Sequence, residues 1–124
     1  MLTLKEQRTY RENVSEQFFF WKPNDNMVED IGQFGLEYQK SCIHIHSVAI
    51  LDEKNRNCGY GQMMVKEAIK AARKLSADKA ITLDVYYNND IAIHVYQKCG
   101  FEITGRWYNG AYAPLIMTYV GESV

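Results

Sequence analysis

Residues 56–61 read Arg-Asn-Cys-Gly-Tyr-Gly and lie between a strand-like segment and a helix-like segment. The first turn of a helix presents unpaired N–H groups at the positive end of the helix dipole, and together these bind anions. Gly59 and Gly61 lack the Cβ that would keep a ligand away from the backbone, and Arg56 adds a permanent positive charge that suits phosphate. The segment therefore predicts a phosphate or diphosphate site. Two glycines that merely ease a tight loop into a helix would give the same six residues.

Two other phosphate-binding motifs do not fit this loop. A dinucleotide fingerprint needs G-x-G-x-x-G, whereas here the second glycine is followed by Gln62, Met63 and Met64. The P-loop pattern G-x-x-x-x-G-K-S/T is absent from the sequence. What remains is R-x-x-G-x-G, a pattern that needs a second motif to support it.

That second motif occupies residues 83–101, which follow the pattern L-x-V-x-x-x-N-x-x-A-I-x-x-Y-x-K-x-G-F. Taken together and in this order, the two motifs resemble those of the GCN5-related N-acetyltransferase (GNAT) superfamily, whose acyl-CoA signature resembles the R-x-x-G-x-G loop. The resemblance covers about residues 28–120 and is sharpest over residues 43–101.

The resemblance implies direct transfer of an acetyl group from acetyl-CoA, as cosubstrate, to a primary amine, with no covalent acyl-enzyme. No metal is expected. It also implies where acetyl-CoA binds. The expected contacts are Ala49, Ile50 and Leu51 before the loop, Arg56, Asn57, Cys58, Gly59, Tyr60, Gly61 and Gln62 in the loop and helix start, and Asn89 and Tyr96 in the second motif.

The resemblance also suggests catalytic roles. Tyr96 matches the family tyrosine near the thioester sulfur, where a phenol is a suitable general acid toward a thiolate. The general base is less clear, because the register at which the family often has a glutamate gives Ile45, flanked by His44 and His46. Histidine suits proton abstraction near neutrality, so we expect His46 or Glu37 to be the base. Packing roles for these side chains are the alternative.

The acceptor is expected to be a small-molecule or peptide amine, and its identity cannot be read from the chain. Residues 106–112 are predicted to form the loop that touches it. The front of the domain is expected to lack the family's usual first strand and first helix, which would leave the acceptor site incomplete. An alternative function is therefore a non-catalytic acyl-CoA-binding or sensing module. An incomplete sheet edge also favours a homodimer.

The elements that must position these residues follow from periodicity and turn signals. We expect a helix over residues 3–13, begun by a Thr3–Glu6 capping box, then strands over 17–21, 28–39 and 43–51. A helix from residue 59, a strand over 80–85, a helix from Asn89 to residue 97 or 98, and two strands within 101–120 complete the order. This predicts one α/β domain over residues 1–124, with a mixed, mostly antiparallel sheet flanked by helices.

Composition excludes several other classes of protein. The 124 residues carry a net charge of −1, which gives no general attraction to nucleic acid or to an acidic membrane surface. No apolar run approaches the length of a membrane span. The three cysteines show no zinc-type spacing and suit free thiols in a reducing cytoplasm.

Overall fold

One seven-stranded sheet organises the part of the chain that the computed structural model describes, residues 1–11, 14–107 and 114–121. The strands are β1 (Leu2–Arg11), β2 (Val14–Trp21), β3 (Gly32–Tyr38), β4 (Cys42–Ile50), β5 (Ala80–Val85), β6 (Phe101–Arg106) and β7 (Leu115–Tyr119). The helices in these ranges are α1 (Tyr60–Leu75) and α2 (Asp90–Lys98), with a 3-10 turn at Glu53–Asn55. The strand order is β1-β2-β3-β4-β5-β7-β6. Among its pairs only β4 and β5 run parallel, which confirms the predicted mixed, mostly antiparallel sheet.

The helix predicted over residues 3–13 is wrong, because strand β1 occupies Leu2–Arg11. Strand β1 pairs antiparallel with β2 along nearly its whole length, from Leu2 opposite Trp21 to Arg11 opposite Val14. The capping-box signal at Thr3 is local, whereas the open edge of β2 offers a ladder of backbone hydrogen bonds that only an extended segment can use. A strand therefore precedes the β2–β3 hairpin.

The remaining predictions of elements are confirmed, with small shifts at the ends. The predicted hairpin is β2 and β3, and β3 begins four residues later than expected. Helix α1 ends at Leu75, whose side chain is exposed, and the buried face consists of Met64, Val65, Ala68, Ile69 and Ala72. Helix α2 begins after Asn89, whose side chain accepts from the N–H of Ala92. It ends before Gly100, whose φ of +103° is a left-handed conformation that suits a glycine after a helix.

The two faces of the sheet differ in character because side chains alternate along each strand. On one face lie Phe34, Leu36, Ile43, Ile45, Ile81, Leu83 and Met117, which join the buried residues of α1 and Tyr96 of α2 in a single core. The opposite face carries polar side chains, and we call it the polar face. Its members include Glu16, Glu37, His44, His46, Thr82, Asp84 and Thr118. Among the described residues, no helix is long and apolar enough to cross a membrane.

Candidate active site

A cleft opens where the parallel strands β4 and β5 separate. Their pairing ends at Ile45 opposite Leu83, although β4 continues to Ile50 and β5 to Val85. On the side facing β5, the backbone of β4 from His46 onward therefore has no strand partner among the described residues. The gap is a cleft of about 660 Å³ lined by residues 45–48, residues 83–86, Asn89, Ala92, Tyr96 and Pro114. The cleft connects the helix side of the sheet with the polar face.

A β-bulge shapes the β4 wall of this cleft. His46 lies opposite Gly35 and Ala49 opposite Gln33, so β4 has one residue more than β3 across this stretch. Ser47, within the bulge, has a φ of +53°, a left-handed conformation that is uncommon for a residue other than glycine. Bulges of this kind terminate regular pairing and redirect side chains, often beside functional sites.

Tyr96 lies on α2 and lines the cleft. Its ring packs edge-on against Phe101, with 6.1 Å between the ring centroids. Burial, which penalises the phenolate, raises the pKa of Tyr96 to about 12, with a smaller contribution from Cys99. The hydroxyl makes no hydrogen bond to any residue that the structure describes. A neutral, unengaged phenol beside an open cleft is free to donate a proton to a ligand.

The predicted phosphate loop connects β4 to α1 through the 3-10 turn, which Asp52 caps by accepting from the N–H of Lys54 at 3.2 Å. Asn57 and Gly59 adopt left-handed conformations with φ of +61° and +79°. Successive turns of this type orient backbone N–H groups toward a common concavity that suits anions. The first turn of α1 has no side-chain cap, so its N–H groups stay available for a ligand.

Open space borders the two glycines of this loop. A Cβ added at Gly59 or Gly61 would meet no protein atom within 4 Å, so the backbone is accessible to an approaching group. Arg56 is exposed and donates two hydrogen bonds, each of 3.4 Å, to the carbonyl of Ile50. The guanidinium therefore lies over the end of β4, beside the helix start. These features fit a diphosphate group.

Other residues predicted to contact acetyl-CoA also make hydrogen bonds or packing contacts within the protein. The N–H of Leu51 donates to the carbonyl of Ile31 at 2.9 Å, so this N–H is already used. Tyr60 packs against Trp21, with 6.1 Å between the ring centroids. The carbonyl of Gln62 accepts from the thiol of Cys99 at 3.6 Å. Leu51 directly follows β4, and Tyr60 and Gln62 lie in the first turn of α1. Ala49 and Ile50 lie on β4 just beyond the residues that line the cleft.

Asn89 lies where it could both cap helix α2 and contact a ligand in the cleft. Its side chain caps α2, accepting from Ala92 at 3.2 Å, and the residue also lines the cleft. Cys58 is exposed, and its thiol lies 3.3 Å from the carbonyl of Arg56. His94 is exposed on α2, as expected for a surface residue.

The histidines of β4 both lie on the polar face, as alternation predicts. His44 contacts the hydroxyl of Thr82 at 2.8 Å through Nδ1 and lies 3.5 Å from a carboxylate oxygen of Asp84 through Nε2. His46 lines the cleft, and its ring occupies the space where a Cβ on Gly35 would lie. The structure thus places His46 at the cleft, whereas His44, two residues earlier on the same strand, does not line it.

The structure also brings together residues that the sequence did not single out. Glu16 on β2 lies opposite Glu37 on β3, and its carboxylate is 3.5 Å from Nε2 of His46. Asp84, at the end of β5, lines the cleft and accepts from the indole N–H of Trp107 at 3.1 Å. Strand alternation could have placed Asp84 beside His44, but the partner of Glu16 depends on the β2–β3 register. Of the predicted acceptor loop, residues 108–112 lie outside the described residues.

Comparison with known structures gives the same fold. An acetyltransferase from Bacillus subtilis in complex with CoA superposes with a TM-score of 0.71 at 20% identity, covering 95% of this chain and 96% of that one. A GNAT family acetyltransferase from Elizabethkingia anophelis with acetyl-CoA bound gives 0.68 at 24% identity, covering 84% and 75%. Spermidine N-acetyltransferase from Vibrio cholerae, in complex with CoA and spermine, gives 0.68 at 20% identity, covering 86% and 66%.

Sequence comparison points to the same group of proteins. The chain is 36% identical over 61 residues to a spermine/spermidine N(1)-acetyltransferase of Bacillus subtilis (strain 168), which covers 48% of this chain and 40% of that relative. The matched segment thus spans less than half of the relative's length. The model of the acetyltransferase (GNAT) family matches residues 2–101. Since that match includes β4, the phosphate loop and α2, the sequence resemblance is confirmed and the chain belongs to the GNAT acetyltransferase family.

Proposed function

We propose that the chain is an N-acetyltransferase that passes an acetyl group from acetyl-CoA directly to a primary amine. The observation that carries this proposal is the cleft between β4 and β5. There Tyr96 presents a neutral hydroxyl, unengaged by any described residue, beside β4 backbone that has no partner on that side. Membership of the family supports the reaction class.

The cosubstrate is proposed to lie along the gap between the strands, with its diphosphate at the start of α1. Gly59 and Gly61 admit the diphosphate to the backbone, and Arg56 lies close enough to supply positive charge. Asn57, Cys58, Tyr60 and Gln62 contribute backbone around the same concavity. Acetyl-CoA supplies the activated acetyl thioester.

The chain's own groups complete the transfer. A backbone N–H of β4 beyond His46, where Ala49 and Ile50 follow, is proposed to donate to the thioester carbonyl and stabilise its developing negative charge. The amine nitrogen forms the new bond to the carbonyl carbon, and the bond from that carbon to sulfur breaks. Tyr96 gives its proton to the departing thiolate. Asn89, at the N-terminus of α2, is proposed to bind the pantetheine part of acetyl-CoA.

The proton of the acceptor amine is proposed to pass to His46, with Glu37 beside it as the second candidate. His46 borders the cleft on the polar face, and a carboxylate oxygen of Glu37 lies within 4.8 Å of its ring nitrogen. The acceptor therefore enters from the polar face, opposite the helices. We propose that the transfer itself needs no metal.

A polyamine is the first acceptor to test. The matching Bacillus subtilis relative acts on spermine and spermidine, and Asp84 offers a carboxylate that lines the cleft and attracts a cationic amine. We further propose that the protein works in the cytoplasm as a homodimer and has no nucleic acid or membrane partner.

Thiol release from acetyl-CoA, followed with a panel of amines, tests the proposed function. The panel contains spermidine, spermine, a monoamine, an aminoglycoside and a lysine peptide. We expect release with at least one amine, and for polyamines we expect Asp84→Asn to raise KM more than it lowers kcat. Glu102→Gln, at an exposed carboxylate away from the cleft, is the matched control.

Calorimetric titration of acetyl-CoA, together with the thiol-release assay, distinguishes an enzyme from a non-catalytic acyl-CoA-binding module. Binding without release on any acceptor would favour a non-catalytic acyl-CoA-binding module. No binding at all would overturn both the enzyme and the module.

A further inference from the structure

Three side chains from three adjacent strands converge on the polar face. Glu16 projects from β2, Glu37 from β3 and His46 from β4, and one ligand atom of each lies within 4.8 Å of the other two. The register makes Glu16 and Glu37 direct cross-strand neighbours. Gly35, which pairs with His46, lacks the side chain that would push the imidazole away.

The cluster brings two carboxylates together, and Glu37 also accepts a hydrogen bond from the side-chain amide of Gln39 at 2.7 Å. Glu16 is only 8% exposed, and it lies directly opposite Glu37 across the strand pair. Among the residues that the structure describes, the ion pairs of Arg and Lys side chains go to Glu6 and Asp52 instead. Arg8, directly opposite Glu16, is one of these, since it bonds Glu6 at 2.8 Å. Buried charge of this kind is costly unless it is paired or binds a metal.

His46 has an unused nitrogen that points into the cluster. Its Nε2 is buried and has no hydrogen-bond partner among the described residues. The nearest carboxylate oxygen, on Glu16, lies at 3.5 Å, beyond the usual length of a charge-assisted hydrogen bond. Its Nδ1 contacts the hydroxyl of Ser47 at 2.9 Å. An imidazole with one nitrogen hydrogen-bonded and the other free is the arrangement that metal-binding histidines adopt.

The 3.5 Å separation between Nε2 of His46 and the oxygen of Glu16 distinguishes two kinds of cation. Tetrahedral ligands about 2.1 Å from a zinc-like ion are about 3.4 Å apart. Two acceptors that bind one ammonium group at about 2.8 Å would be about 4.6 Å apart. The separation of this one pair fits the metal better than an ammonium group, and the other two pairs of ligand atoms lie within 4.8 Å.

We propose that Glu16, Glu37 and His46 form a binding site for a divalent transition-metal ion of the zinc class. Each carboxylate contributes one oxygen and His46 contributes Nε2, a ligand set of the kind that binds zinc. Three protein ligands leave a position for water. The ion neutralises the paired carboxylates and links β2, β3 and β4 across the polar face.

The site has a consequence for the proposed reaction but does not depend on it. Since the ion occupies Nε2 of His46, it removes the side chain proposed to take the amine proton. Bound metal therefore slows acetyl transfer, and a chelator restores it. The site would then be inhibitory rather than catalytic.

Titration of the untagged, full-length protein with Co²⁺ alone tests the site directly. We expect one ion per chain, with the visible d–d absorption of a low-symmetry Co²⁺ site, which Zn²⁺ displaces. Glu16→Gln and His46→Asn should each weaken binding by at least about tenfold, the lower end of what even supporting residues around metals contribute. Glu102→Gln and His94→Asn are the matched controls, at an exposed glutamate and an exposed histidine, and should bind Co²⁺ like the wild type.

Thermal unfolding with Zn²⁺ supplies a readout that a purely structural role would not reproduce. The wild type should gain Tm with increasing Zn²⁺, whereas Glu16→Gln should not respond. Without metal, Glu16→Gln should be at least as stable as the wild type, because one of two repelling carboxylates is gone. If Glu16→Gln fails to fold, Glu37→Gln and His46→Asn carry the same comparison.

Three results would overturn the proposal. One is the absence of a Co²⁺ band at millimolar metal. Another is a band that survives in Glu16→Gln and His46→Asn, and the third is a thiolate charge-transfer band that disappears when Cys42 or Cys58 is replaced by serine. The proposed function fails by a different result, the absence of thiol release from metal-free protein, which leaves the Co²⁺ titration unaffected.

Discussion

The two faces of the sheet are made from the same strands, yet they have opposite chemistry. Ile43 and Ile45 of β4 are buried in the core, while the alternate residues His44 and His46 contact hydroxyl and carboxylate groups on the polar face. One face therefore holds the domain together and the other is available for chemistry. The cleft between β4 and β5 connects the two faces, and Tyr96 and His46 line it from opposite sides of the sheet.

Leu83→Ala should have the largest effect on stability, because it removes a fully buried side chain from the apolar face. We expect the free energy of unfolding to fall by about 2–5 kcal/mol. Thr82→Ala, the adjacent residue on the polar face, should cost only about 1 kcal/mol, for the hydrogen bond to His44. Urea unfolding followed by circular dichroism measures both. Equal losses in the free energy of unfolding would contradict the view that the apolar face, rather than the polar face, stabilises the domain.

Tyr96→Phe should lower kcat about a hundredfold or more, the usual contribution of a general acid. The ring still packs against Phe101, so acetyl-CoA affinity and the fold should be retained. Thiol-release kinetics and calorimetry measure the two quantities. Tyr119→Phe is the matched control, because the Tyr119 ring also contacts Phe101. An unchanged kcat would mean that Tyr96 only packs.

Alkaline pH should expose the burial of Tyr96. Its pKa is raised by burial from 10.0 to about 12, so the folded state keeps the proton longer than the unfolded chain does. Stability from this group is complete below pH 10 and is lost as pH rises toward 12, about 1.4 kcal/mol of it by pH 11. Tyr96→Phe lacks this loss. The difference between wild type and variant in urea unfolding at pH 8 and pH 11 isolates it, and a constant difference would refute the shift.

Gly61→Ala should produce the smallest change in stability while weakening cosubstrate binding. Gly61 is the second residue of α1, and the added Cβ meets no protein atom, so the fold should gain up to about 1 kcal/mol from helix propensity. Acetyl-CoA affinity should fall about tenfold, or about 1.4 kcal/mol, because the backbone is no longer open to the diphosphate.

Gly59→Ala completes this comparison. Its φ of +79° strains an alanine by about 1–2 kcal/mol, so this variant should lose both stability and affinity. If Gly61→Ala binds acetyl-CoA like the wild type, the start of α1 is not the diphosphate site.

Local signals predicted the helix-bearing half of the fold well. The cap at Asn89, the left-handed turn at Gly100 and the entry into α1 each depend on a few neighbouring residues, so their sequence carries enough information. The first fourteen residues show the opposite case. The segment around Thr3 has a helix-start signal, but its structure is decided by the exposed edge of β2, which lies about a dozen residues along the chain.

The same reasoning explains which site residues were predicted. Tyr96, Asn89 and His46 belong to motifs or to an alternating strand, and the structure places all three at the cleft. Glu16 gave no signal, because only the β2–β3 register brings it to Glu37, and a slip of one residue would turn it to the other face. The acceptor loop at residues 108–112 stays a prediction.

The bulge at Ser47 fixes more than the shape of the cleft wall. Before it, even-numbered residues of β4 face the polar side, whereas after it Ala49 pairs with Gln33 and Ile50 with Gly32, so odd-numbered residues take that side. The extra residue therefore acts as a phase shift in the strand. Deleting it would leave Ala49 opposite Gln33 and Ile50 opposite Gly32 in regular pairing, but it would remove the bulge that shapes the cleft wall. At this point of the chain, a change of length by one residue is expected to be far less tolerable than a change of side chain.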